Sequence, residues 1–141
     1  MTCTNYQLQT FAPVDAGIRF KSEPTLQQIE SAAYEAALSV YYVPKRIEWM
    51  FPGVEAIRSR NRARPLAVAR FIVWYYLTYK LSDATRWNSF RIAHEYGVNR
   101  TAPSYGNGQV HHAIIGKGCS DIKRVWEVFL KGLQRRGIVE V

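Results

Sequence analysis

Apolar residues recur at helical spacing in several segments of the chain, and Pro, Gly and polar residues separate these segments. The first such segment opens with Thr25 and Gln28, which have the spacing of a capping box. The apolar positions then continue to about Tyr42, where Val43-Pro44 disfavours further helix. The pattern therefore predicts a first helix over about 25–42.

Two later segments also read as long helices. Pro65 is suited to a first helical turn, and the residues from Leu66 to Leu81 are apolar on every face, which predicts a buried central helix. The last segment is the most regular, with Ser120 as the expected N-cap and Gly137 as the stop. Its apolar positions are Ile122, Val125, Trp126, Phe129, Leu130 and Leu133.

Shorter elements are expected between these helices. We predict one short helix over Lys45–Met50, another after Asp83, and a third from Ser89 to Tyr96 closed by Gly97 in a left-handed conformation. Residues 98–107 read as a loop, and a further helix should begin near Asn107, with Asn as its N-cap, and weaken at Gly116 and Gly118. Residues 1–24 fit an arm, an edge strand or a disordered lead-in.

Size and composition indicate a single all-α domain over residues 25–141, preceded by the N-terminal arm. The chain has 141 residues, of which 48% are hydrophobic, enough for one core. Its formal charge is +8, but residues 58–141 contain fifteen Lys and Arg against five Asp and Glu. This part of the chain favours a polyanionic partner.

Two further features concern the cellular compartment and membrane association. Cys3 and Cys119 form no metal or redox motif and predict reduced thiols in a cytoplasmic protein. The longest apolar run, Phe71 to Leu77, is far shorter than the roughly 20 residues that cross a membrane, so we expect no membrane partner.

Four arginines alternate with small or polar residues just before the central helix, in a stretch expected to be flexible. Arginine can bind two phosphate oxygens at once and can enter a narrow minor groove, so this run is a candidate for nucleic-acid contact. A solvated basic loop explains the same residues. The four are Arg58, Arg60, Arg62 and Arg64.

The helices on either side of Gly97 suggest a helix-turn-helix, in which the start of the second helix meets base edges in the major groove. The expected connection, Val98 to Gly106, has nine residues, whereas a standard turn has 3–4. By spacing alone, two amphipathic helices joined by a loop are more often part of an ordinary core.

Two segments together resemble the C-terminal DNA-binding domain of the bacterial replication initiator DnaA, which has a Trp-repressor-like helix-turn-helix. The arginine run, ending at Pro65, is similar to that family's basic loop. Ile92-Ala93-His94-Glu95-Tyr96-Gly97 and, after an interruption, Gln109-Val110-His111-His112-Ala113 are similar to its Ile-Gly-x-x-Phe-Gly and Thr-Thr-Val-x-His-Ala. The resemblance covers roughly residues 26–133 and does not include the initiator's nucleotide-hydrolysing domain.

The resemblance implies duplex DNA as the partner. It places Arg58 on the family's minor-groove arginine, and Arg60 and Arg64 on other basic-loop arginines. The family's Arg-Gln pair after the proline is Leu66-Ala67 here, and its Asp-His-Thr-Thr is Gly106-Asn107-Gly108-Gln109, so base readout must differ.

Further residues join the candidate DNA-binding set for chemical reasons. Asn107 and Gln109 can pair with adenine through an amide. Arg100, in an insertion relative to the family, and His111, on the outer side of its helix, can contact phosphate, although the insertion also fits a passive loop. His112 is expected to pack inward.

The sequence contains no recognisable motif for catalysis or for metal binding. Adjacent His111 and His112 point about a hundred degrees apart, unlike the i, i+4 pair of a zinc helix, and no phosphate loop or nucleophile elbow is present. We expect a non-enzymatic protein without cofactor that binds double-stranded DNA and regulates replication or transcription. A module of the same fold that binds an acidic protein partner, and an RNA or single-strand binder, are the alternatives.

Overall fold

The computed structural model describes residues 19–20, 24–41, 53–82 and 84–140. The short helix expected over Lys45–Met50 and most of the expected N-terminal arm lie outside the described residues. The helices are α1 (Leu26–Tyr41), a 3₁₀ helix (Val54–Arg58), α2 (Arg64–Tyr79), α3 (Ser89–Tyr96), α4 (Thr101–Ile114) and α5 (Ser120–Arg135).

Helix α1 starts where the capping box predicts. The Thr25 amide donates to Gln28 Oε1 at 2.8 Å, and the Gln28 amide donates to Thr25 Oγ1 at 3.2 Å, so two otherwise unpaired donors are satisfied. Its buried face is rich in alanine, which lets α2 and α5 pack closely against it.

Helix α2 is the predicted central helix, and it is buried along most of its length. Pro65 lies in its first turn, where the missing amide costs nothing. Tyr76 stacks edge-on against Phe129 of α5, with ring centres 5.5 Å apart, and Tyr75 does the same against Trp126. Burying each of these side chains contributes on the order of 1.5–3 kcal/mol.

The prediction of a loop over residues 98–107 is wrong, because the connection between α3 and α4 is shorter. Helix α4 begins at Thr101, not at Asn107, so only four residues, Gly97–Arg100, separate the two helices. Gly97 takes the expected left-handed conformation, with φ of 63°. Arg100 occupies the N-cap position without a side-chain hydrogen bond, and Asn99 Oδ1 instead accepts hydrogen bonds from the Thr101 amide and hydroxyl.

Packing against α2 explains the early start of α4. Pro103, Gly106, Asn107 and Val110 are buried at helical spacing. At Gly106 an added Cβ would lie 2.7 Å from the Phe71 ring and 3.1 Å from the Trp74 ring, so the two helices meet where no side chain fits. Residues that favour loops in isolation are therefore held in a helix by tertiary contact.

Two smaller expectations are wrong. The helix expected after Asp83 is absent from the described residues, which have a turn at 84–85. Ser120 is the first residue of α5 and not its cap; the residue before it, Cys119, occupies the N-cap position without a side-chain hydrogen bond.

The fold is thus a compact all-helical domain, as expected. The only strand pairing in the described residues is short and antiparallel, between β1 (Arg19–Phe20) and β2 (Val139–Glu140). No helix in the described ranges has the length and apolar character needed to cross a membrane.

Candidate nucleic-acid interface

The loop that carries the arginines, Ser59–Ala63, is held in one shape by hydrogen bonds. Asn61 Oδ1 accepts from the Ala63 amide at 2.9 Å, and Ser59 Oγ donates to the Ala56 carbonyl at 2.7 Å. Arg70 of α2 donates to the carbonyls of Ile57, at 2.6 Å, and Asn61, at 2.7 Å. We call this segment the arginine loop; it is not the flexible stretch that the sequence suggests.

Arg58, just before the arginine loop, is paired with two carboxylates of the protein, although its side chain stays 37% exposed. Its Nε donates to Glu30 Oε2 of α1 at 2.9 Å and its Nη1 to Glu95 Oε2 of α3 at 2.6 Å. Tyr96 also donates to Glu30 Oε2, at 2.5 Å, and the guanidinium carbon of Arg58 lies 5.2 Å from the Tyr96 ring centre. Burial, and then the bond to Glu30, raise the pKa of Tyr96 well above its ordinary value.

This network gives Arg58 a structural role. Glu30 is only 7% exposed, and its buried carboxylate needs the positive charge that Arg58 supplies. Its two bonded donors reach carboxylates on two different helices, so the Arg58 side chain connects α3 to α1. The prediction that Arg58 enters the minor groove is not supported by this placement.

Arg64, at the other end of the arginine loop, is also paired. Its Nε and Nη2 donate to the two carboxylate oxygens of Asp121 at 3.1 and 3.3 Å, and Tyr41 donates to the same carboxylate. Burial alone would raise the pKa of Asp121, but the hydrogen bonds from Arg64 and Tyr41 outweigh it, so the pKa is lowered. This contact joins α1, α2 and α5.

Arg60 and Arg62 are the two arginines of the run that have no partner among the described residues. Both are exposed, and neither has a hydrogen bond or ion pair with any described residue. The run therefore has a paired arginine at each end, and the two arginines between them are available to an outside anion. The loop between them is tied by Arg58 to the end of α3 and by Arg64 to the start of α5, the segments that precede and follow α4.

Helix α4 presents one exposed stripe to solvent, and we call it the α4 stripe. It contains no acidic residue. Over residues 84–120 the only carboxylate is that of Glu95, which is bonded to Arg58. The stripe consists of Thr101, Ser104, Tyr105, His111, His112 and Ile115, with Gly108 and Gln109 partly exposed beside it.

The two amide side chains that were expected to read bases differ in their exposure. Asn107 is 8% exposed, and its Nδ2 donates to Thr78 Oγ1 of α2 at 3.2 Å, so it belongs to the helix contact and cannot reach DNA. Gln109 remains partly exposed. His111 faces solvent as expected, whereas His112 is also exposed and does not pack inward.

Two arginines, one in the first turn of α3 and one just before α4, lie over aromatic rings. The guanidinium carbon of Arg91 is 3.8 Å from the Trp87 ring centre, and that of Arg100 is 5.2 Å from the Phe90 ring centre. Sequence reasoning named Arg100 but missed Arg91. Local spacing did not indicate this pair, because Trp87 lies before the helix that begins at Ser89 and the i, i+4 rule applies only within a helix.

No cluster of three or more His, Cys, Asp or Glu that suits a metal ion occurs among the described side chains.

A search against protein-family models and a search against curated proteins each found no match to the chain.

Proposed function

We propose that the protein binds double-stranded DNA, with α3 and α4 as a helix-turn-helix and α4 in the major groove. The observation that carries the proposal is the four-residue connection Gly97–Arg100. It has the length of a standard turn, and it leads directly into a helix whose exposed stripe carries no negative charge.

The chemistry of the exposed side chains supports this proposal. Ser104 can hydrogen bond to base edges, and Tyr105, which is 63% exposed, offers a ring and a hydroxyl. Gln109 is suited to adenine, and His111 to base or phosphate. Arg60 and Arg62 have the open guanidinium groups that phosphate contact requires.

The resemblance to the DnaA C-terminal domain favours the same function. The proposed role is regulation of replication or transcription, in which a DNA-binding module acts by occupying a site. Because Arg58 is paired with Glu30 and Glu95 and Asn107 is buried, the proposed contacts differ from those that the resemblance implies.

A charge placed on the α4 stripe tests this proposal. Ser104→Asp puts a carboxylate at an exposed position next to the expected phosphates, so duplex affinity should fall at least tenfold at low salt. Gln134→Glu is the matched control, because it adds the same charge at an exposed position of the last turn of α5. Equal affinities of the two variants would contradict binding by α4.

A second candidate function is binding of an acidic protein. Phe90 is 61% exposed and Tyr105 63% exposed beside the basic residues, and aromatic side chains of this kind are common in protein interfaces. Recovery of a stoichiometric protein partner after nuclease treatment, together with no affinity for duplex DNA, would favour this candidate.

A further inference from the structure

The Arg91–Trp87 and Arg100–Phe90 pairs place two guanidinium groups over aromatic rings. A ring contact uses the face of a guanidinium and leaves its in-plane N–H groups open. No hydrogen bond or ion pair joins either arginine side chain to a described residue, in contrast to Arg58 and Arg64.

Among the described residues, the ring of Phe90 makes no aromatic ring pair, and its one cation–π contact is with Arg100. It lies in the first turn of α3, and a phenyl ring that is 61% exposed contributes little to the core. Its ring contact is with Arg100, the last residue before α4. The ring thus lies within contact of the arginine that precedes α4.

The two pairs lie at the opposite end of α3 from the arginine loop. Arg91 and Phe90 are in the first turn of α3, whereas Arg58 joins the loop to Glu95 and Tyr96 in its last turn. Eight helical residues span about 12 Å, which is close to the width of the major groove, roughly 12 Å. A helix of this length therefore has an arginine near each end, Arg91 at its start and Arg58 at its last turn.

We propose that Arg91 and Arg100, held on Trp87 and Phe90, form a clamp for backbone phosphates of duplex DNA. The proposal rests on the proposed function and adds a second phosphate-binding site to the arginine loop. A guanidinium that is already oriented loses less conformational entropy when it binds, so the rings add to affinity without adding charge.

The salt dependence of duplex binding tests the clamp. Each lost phosphate contact should make the log–log salt slope shallower by about 0.9, so the Arg91→Ala, Arg100→Ala double variant should lose about 1.8. The matched control is the Lys131→Ala, Arg135→Ala double variant. It removes the same charge from exposed positions near the end of α5, and its salt slope should equal that of the unaltered protein. The variant leaves the nearby ion pair between Arg136 and Glu35 of α1, at 2.8 Å, in place.

A second variant tests the role of the ring. Phe90→Ala keeps every charge, so its salt slope should not change, but duplex affinity should fall about two- to fivefold because Arg100 loses its platform. Both Phe90 and Arg100 are exposed, so we expect thermal unfolding to be unchanged in these variants.

The outcomes separate this inference from the proposed function. If the unaltered protein binds duplex DNA and the Arg91, Arg100 variant keeps its slope, or the control loses as much, the clamp is refuted and DNA binding stands. Unchanged affinity of Phe90→Ala refutes the role of the ring. If the unaltered protein does not bind duplex DNA at low salt, the proposed function fails and the clamp fails with it.

Discussion

The arginines of the run 58–64 carry the same charge, but their neighbours give them different roles. Arg58 compensates the buried carboxylate of Glu30, whereas Arg60 and Arg62 face solvent without partners in the described part of the chain. We predict that Arg58→Ala lowers the free energy of unfolding by about 1–3 kcal/mol, because it removes hydrogen bonds to charged groups. Chemical denaturation measures this change.

The Arg60→Ala, Arg62→Ala double variant should behave in the opposite way. Its stability should match that of the unaltered protein, while its salt slope for duplex binding should become shallower by about 1.8. A stable Arg58→Ala variant, or an unstable Arg60, Arg62 variant, would show that the structural and DNA-binding roles have been assigned to the wrong residues.

Asp121 gives the fold a pH dependence with a defined sign. Its folded-state pKa is lowered, so its contribution to stability is complete above the ordinary carboxyl value of about 3.9 and is lost as pH falls through the lowered pKa. We predict that Asp121→Asn is less stable than the unaltered protein at neutral pH and that the difference shrinks below about pH 4. Urea denaturation at a series of pH values measures it; a difference that grows in acid would contradict the assignment.

At the scale of the helix, two glycines of α4 have opposite surroundings. Gly106 faces the Phe71 and Trp74 rings of α2, whereas nothing lies within 4 Å of a Cβ placed on Gly108. We predict that Gly106→Ala lowers the unfolding free energy by about 1–3 kcal/mol through overpacking. Gly108→Ala should raise it by about 0.5–1 kcal/mol, because alanine is the better helix former. Thermal unfolding of the pair measures both, and changes of the same sign would contradict the packing of α4 on α2.

The same helix shows where sequence reasoning fails. Long amphipathic or apolar segments identify α1, α2 and α5 because burial of their faces dominates. The first two turns of α4 contain Pro103, Gly106 and Gly108, which favour a loop when judged locally. Close packing on α2 overrides that preference, and this contact is not visible in the sequence.

The candidate site was predictable in part for the same reason. Charge composition identifies the basic half of the molecule, and the motif-like segments locate α3 and α4. Partners decide which arginine is available, and Glu30 and Asp121 lie far from the arginine run in the sequence. Neither pairing follows from local spacing.

For the whole molecule, the central claim is that a basic helical domain binds duplex DNA. Fluorescence-anisotropy titration of the full chain with labelled random duplex at several salt concentrations, with single-stranded DNA and RNA as competitors, tests it most directly. Four phosphate contacts, from Arg60, Arg62, Arg91 and Arg100, predict a log–log slope of about −3.6 and preference for the duplex. Absence of binding at low salt, or equal displacement by single strands, would contradict the claim.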